Sequence, residues 1–391
     1  MKNPNYAMKQ KRLSFNYLSL LLASICLTWC VSSHSTQPAP GYGSATLELM
    51  ALVESNAELE SMLTDSIQKA KKINPDRNTN PVQNLQEYYE FVSRAESAMP
   101  WALLKKSEYP EIFHNMFQSI IYFYFLIDQP LPGLEGKGLV NNSLQYAEPF
   151  ASWLVTFNKS WGAFLDTTDS WNDTYYKMAL NDPAFGLQNG WYEEPSNWKT
   201  FNQFFARYLR SPDMRPIAAP EDPAVVAAFA DSEPQGVWAI DGSSNIVTPD
   251  SDGIAVKSAT LRSVKDLIGD GSQYREAFAN GTFTHSFLNV NDYHRYHFPL
   301  SGTIKEARII QGINPTGGSL YWDAENNRYA FDPSAALGWQ SVETRACVIL
   351  DTEKFGLVAL LPIGMGFVGS VNLEANVKPG TLVNKGDMLG H

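Results

Sequence analysis

The chain has 391 residues and a formal net charge of −11, which speaks against nucleic-acid binding, since phosphate contacts need clustered Lys and Arg. The same charge gives no general attraction to anionic lipid and leaves only a local basic patch to supply it. With 44% apolar and 18% charged residues, the chain can bury a large core and is long enough for roughly two to three domains.

Lys2, Lys9, Lys11 and Arg12 precede an uncharged, Leu-rich stretch from Leu13 to Val31, followed by Ser32 and Ser33. This order reads residues 1–33 as a signal peptide or a retained membrane anchor, and the protein as exported or membrane-anchored. A lipoprotein signal fits less well, because Cys26 follows Ile25 and Cys30 follows Trp29 rather than small residues. Residues 34–45 have the Ser/Pro/Gly composition of a linker. From residue 46 to about 72, Leu47, Leu49, Leu52, Val53, Leu59 and Leu63 recur at helical spacing, which predicts one amphipathic helix. Further helices are expected around 85–98, 111–126 and 143–157, making 46–215 a helical N-terminal domain. Beyond Arg215-Pro216 the texture changes to short apolar runs rich in β-branched residues, such as Val237-Trp-Ala-Ile and Cys347-Val-Ile-Leu. Turns such as Asp241-Gly242 and Lys385-Gly386-Asp387 separate them. Residues 216–391 therefore read as an antiparallel β-rich domain, and the whole as an α+β protein.

Cys347 is the only cysteine outside the apolar N-terminus, so no disulfide framework is available and a buried inert thiol is expected. Among the six histidines, His34 lies in the linker and His391 at the last position. His114 and His285 sit in ordinary apolar contexts. His294 and His297 stand out, in Asn291-Asp-Tyr-His-Arg-Tyr-His-Phe-Pro299. Without Cys or Glu-x-x-His partners no metal site is expected, and general acid–base work suits this pair.

This block, extended from Phe287 to Ile304, resembles the signature of the phosphatidylserine decarboxylases. Three further segments resemble that family in order and spacing. They are Thr200-Phe-Asn-Gln-Phe-Phe-Ala-Arg207 followed by Arg215-Pro216, then Ala230-Asp-Ser-Glu-Pro-Gln-Gly-Val-Trp238, and Val377-Lys-Pro-Gly-Thr-Leu-Val-Asn-Lys-Gly-Asp-Met-Leu-Gly390. Phe229 stands where that family usually has Pro. Phe157-Asn-Lys-Ser-Trp-Gly-Ala-Phe-Leu165 is similar to the extra helical domain of a branch that includes fungal tryptophan decarboxylases.

The resemblance implies a pyruvoyl cofactor, made when a serine attacks the preceding glycine carbonyl and the chain cleaves itself. Asp231 would orient His297 as the base in that step. His294 would assist decarboxylation and reprotonation of a substrate held as a Schiff base. The implied substrate is phosphatidylserine, converted to phosphatidylethanolamine and CO2. A free aromatic amino acid such as tryptophan is the second reading, toward which Ile363-Gly-Met365 leans, and a non-catalytic binding protein the third. The implied partners are the C-terminal α chain released by cleavage and a membrane. The serine is expected beyond His391, leaving residues 1–391 inactive alone. Gly317-Gly318-Ser319 and Gly369-Ser370 have suitable letters for cleavage but are expected to be structural.

Overall fold

The computed structural model describes residues 41–103, 116–135, 137, 140–247, 254–256, 259–261, 263–332 and 339–391. The signal or anchor segment, His34 and His114 lie outside these. Among the described residues, no helix is long and apolar enough to cross a membrane.

The first predicted helix is in fact two, α1 (Ser44–Ser55) and α2 (Ala57–Ile73). Asn56 between them is extended, and its side chain accepts the Leu59 N–H at 3.0 Å. An asparagine competes with helical backbone for hydrogen bonds and is better placed as a cap, so the apolar period continues while the helix does not. The start of α1 has no local cap. Glu96 supplies one from a distance, accepting the N–H groups of Ala45 (3.0 Å) and Thr46 (2.8 Å). α3 (Leu85–Ala95) and α4 (Met116–Phe125) follow. α4 is apolar nearly all round and is correspondingly buried on most sides. α5 (Phe150–Leu165) begins later than the periodicity suggests, because residues 144–146 form a 3-10 turn and Pro149 precedes the first helical residue. Its stripe of Phe150, Trp153, Leu154, Phe157 and Trp161 is buried at 3–4-residue spacing. Two shorter helices, α6 (Asp173–Asn181) and α7 (Phe201–Phe205), lead into the second half.

That half is built from antiparallel strands, as the sequence predicts. β1 (Glu233–Ala239) pairs with β4 (Thr282–Phe287), and β2 (Ile254–Val256) with β3 (Ala259–Leu261). β5 (Tyr296–His297) is short and carries the second histidine of the block. β6 (Gly302–Ile310) sits inside a four-stranded sheet with β9 (Arg345–Thr352), β10 (Gly356–Leu360) and β11 (Leu382–Val383), in the order β10-β9-β6-β11. β7 (Ser319–Asp323) and β8 (Arg328–Asp332) form a hairpin, and β12 (Met388–Gly390) pairs with β5. β9 is buried along almost its whole length, which explains its continuous apolar run. Cys347 lies on it, and burial pushes its thiol up to about 11, consistent with an inert side chain.

The boundary expected near residue 215 is bridged by packing. The helical core continues into Tyr293 and Tyr329 of the strand-rich half. Gln118 of α4 brackets Tyr329, accepting its N–H at 2.7 Å and donating to its carbonyl at 2.8 Å. The Tyr329 hydroxyl donates to the Thr79 carbonyl at 2.8 Å, and Phe367 meets Trp161 edge-on at 4.4 Å.

Candidate active site

The histidine block starts as a turn closed in both directions, the Asp292 N–H donating to the Asn289 carbonyl at 3.0 Å and the Asp292 carboxylate accepting the Asn289 N–H at 2.9 Å, and then enters β5. Two buried arginines hold it against the segment after α7. Arg207 donates through Nη2 to the carbonyls of Asn291 (2.9 Å) and Asp292 (3.0 Å), and its guanidinium lies 4.4 Å from the centre of the Tyr192 ring. In return, Arg295 donates through Nε to the Ala206 carbonyl at 2.9 Å and stacks 3.4 Å over Tyr208. Each arginine thus satisfies backbone acceptors of the segment carrying the other. Both lie in motif blocks visible in the sequence, but nothing in the sequence distinguishes their function from surface charge.

His297 is fixed from two sides. Its Nδ1 is 2.9 Å from the Gly386 carbonyl, which can only accept, so in the neutral ring Nδ1 carries the proton and Nε2 the lone pair. Nε2 accepts from the Tyr293 hydroxyl at 3.2 Å. Gly386 belongs to the turn predicted before β12. Its φ of +92° disfavours any side chain there, and a Cβ would also push the end of the Ile217 side chain aside.

Asp231 is ion-paired with Arg215, whose guanidinium also lies 5.0 Å from the Tyr293 ring centre. Burial pushes the Asp231 carboxyl above the usual carboxylate range, against the opposing pull of Arg215 and the weaker one of His297. The resemblance implies a direct contact from Asp231 to His297. Among the described residues the two make no hydrogen bond, and the Gly386 carbonyl occupies Nδ1 instead. Asp231, Arg215, Tyr293 and His297 nevertheless form one connected group.

His294 stands apart from that group. Its ring stacks on Phe205 at 3.9 Å, and Nε2 donates to the Asn289 carbonyl at 3.0 Å. Burial first, and the positive Arg207 second, lower its pKa from 6.5 to about 3. At neutral pH His294 is therefore an uncharged N–H donor rather than an imidazolium acid. Because its folded value is depressed, the unfolded chain takes up the proton first on acidification. The stability contributed by neutral His294 is complete above pH 6.5 and is lost as the pH falls toward about 3. Urea unfolding at pH 7 and pH 5 measures this. His294→Gln, which keeps a donor without the titration, is expected to recover about 2 kcal/mol of the acid-induced loss. An identical loss in both proteins would refute the buried neutral imidazole.

The remaining histidines fall elsewhere. His285 is on β4, opposite Gly236, and burial lowers its pKa. His391 exchanges backbone hydrogen bonds with Asn372 (2.9 and 2.7 Å) and lines a cleft of about 420 Å³ with Arg295, Trp198, Tyr208 and Glu193. A second, smaller cavity of about 40 Å³ adjoins the His294 turn through Val290. Its walls are Phe117, Ile120 and Ile121 of α4 together with Phe331, Met365 and Phe367. Gly317 and Gly318 take positive φ values of 64° and 44° in the turn before β7, with Gly317 packed on the Trp339 ring.

A histidine held from two sides, beside an aspartate–arginine pair on an antiparallel β-fold, supplies the groups that acid–base chemistry needs. Residues 201–391, just under half of the chain, match the family model of phosphatidylserine decarboxylase. The family is pyruvoyl-dependent in general. A phosphatidylserine decarboxylase proenzyme 2 of Oryza sativa subsp. japonica is 31% identical over 195 residues, covering 50% of this chain and 28% of that protein. The phosphatidylserine decarboxylase proenzyme of Vibrio cholerae is 31% identical over 186 residues, 46% of this chain and 55% of its own length. The chain thus spans about half or less of these two relatives. The decarboxylase iboD of Amanita muscaria is 26% identical over 270 residues, 62% of this chain and 73% of that protein. This last alignment is longer than the family match and so extends into the helical half.

Proposed function

We propose that this chain carries the acid–base residues of a pyruvoyl-dependent decarboxylase that makes its cofactor by self-cleavage at a serine. The observation that carries the reading is His297, with Nδ1 tied to the Gly386 carbonyl and Nε2 left as the base. The cleft of about 420 Å³ beside Arg295, where the buried Nδ1 of His391 has no partner among the described residues, fits a pyruvoyl group formed nearby.

In this mechanism His297 Nε2 accepts the proton of the attacking hydroxyl, while the Arg215–Asp231 pair holds the adjoining face. When present, the pyruvoyl carbonyl supplies the electron sink for loss of CO2. His294, neutral and covered by Phe205, offers a fixed N–H donor at Nε2 and keeps water from that side.

Phosphatidylserine is the first substrate reading, supported by the names of the relatives. A free aromatic amino acid is the second, supported by the match to the decarboxylase iboD of Amanita muscaria, which reaches beyond the family match into the helical half. The basic-then-apolar N-terminus leads us to propose export or membrane anchoring for the whole protein.

The test is release of CO2 by the full-length protein from phosphatidylserine vesicles and from free tryptophan. Release from the vesicles alone is the expected result. Release from tryptophan alone would move the function to the second reading, and release from neither would favour a binding protein.

A further inference from the structure

The hydroxyl of Tyr293 lies 3.2 Å from His297 Nε2, on the only lone pair that ring keeps while Nδ1 holds its proton on Gly386. One lone pair takes one donor at a time. The tyrosine has little freedom to leave. Its ring is 1% exposed, lies near-parallel to His297 at 5.8 Å, and packs against Tyr192 at 6.1 Å. The Arg215 guanidinium, paired with Asp231, sits 5.0 Å from the ring centre. Burial raises the phenol to about 12, so it is a neutral O–H donor throughout the physiological range.

We propose that Tyr293 caps the base nitrogen of His297, so that the attacking hydroxyl must displace the tyrosine O–H before self-cleavage starts. Asp231 then acts on His297 through Arg215 and this ring rather than by a direct hydrogen bond. The inference rests on His297 being the base, and it adds a competitor for that base. Asp231, Arg215 and Tyr293 are positioning residues in this scheme.

Tyr293→Phe keeps the ring and removes the cap. In the full-length protein, self-cleavage is expected to run about threefold to tenfold faster, the equivalent of one neutral hydrogen bond. In the uncleaved chain of residues 1–391, the 15N resonance of His297 Nε2 is expected to move toward that of a lone pair without a donor, while Nδ1 stays protonated. A role in packing alone would leave Nε2 where it is. Unchanged or slower cleavage, or an unmoved Nε2 resonance, overturns the cap. His297→Ala separates the two levels. If it still cleaves, the base assignment fails. If it does not cleave and Tyr293→Phe is no faster than the parent, only the cap fails.

Discussion

His297→Ala is expected to slow self-cleavage of the full-length protein by about 10²–10⁴-fold, leaving one uncleaved band on a denaturing gel where the parent gives two. The magnitude is that of a general base removed from a site whose other groups stay in place. Asp231→Asn is expected to lose much less. Its carboxylate reaches His297 through Arg215 and Tyr293, whereas the imidazole is oriented by the Gly386 carbonyl, which the substitution leaves intact. Equal losses in the two variants would restore a direct Asp231–His297 pairing at the moment of reaction.

Arg207→Met is expected to destabilise the fold by about 3 kcal/mol in urea unfolding, although it removes no group that performs chemistry. The guanidinium is buried and donates to the carbonyls of Asn291 and Asp292, which would lose their donor on truncation. An unsatisfied buried carbonyl costs about 1–3 kcal/mol, and the stacking on Tyr192 is lost as well. Arg207→Lys is expected to rescue poorly, because an ammonium cannot fork between two carbonyls while lying flat on a ring. A loss below about 1 kcal/mol would mean that the histidine turn holds its shape without this brace.

Much of this arrangement was legible in the chain. The change of texture after residue 215 corresponds to the passage from helices to antiparallel strands. The Lys385-Gly386-Asp387 turn is present, and its glycine is favoured by a positive φ of +92° that a side chain would strain. Asn56 and Pro149 set helix limits that the apolar period hid. A cap or a proline acts at one residue, while a moment averaged over many residues does not register it. The N-terminal segment predicted to be a signal or anchor lies outside the described residues, and its role stands as proposed.

The histidine block marks the limit of what spacing conveys. His294 and His297 are three residues apart in one motif, and their titration range alone suits both equally to acid–base work. Burial against Phe205 and proximity to Arg207 make the first a neutral donor, while the Gly386 carbonyl and Tyr293 hydroxyl set the tautomer of the second.

Residue pattern carried the α+β class and the order of the four motif blocks, and it singled out Asp231, His294 and His297 as candidates. These are properties of local pattern and residue type. Only the tertiary structure decided that Asp231 pairs with Arg215, that Tyr293 lies on the base nitrogen, and that Arg207 and Arg295 lock two distant segments together. Each of those depends on partners far apart in the chain. Their effect comes from desolvation and hydrogen-bond geometry, which arise only once the backbone has closed around them.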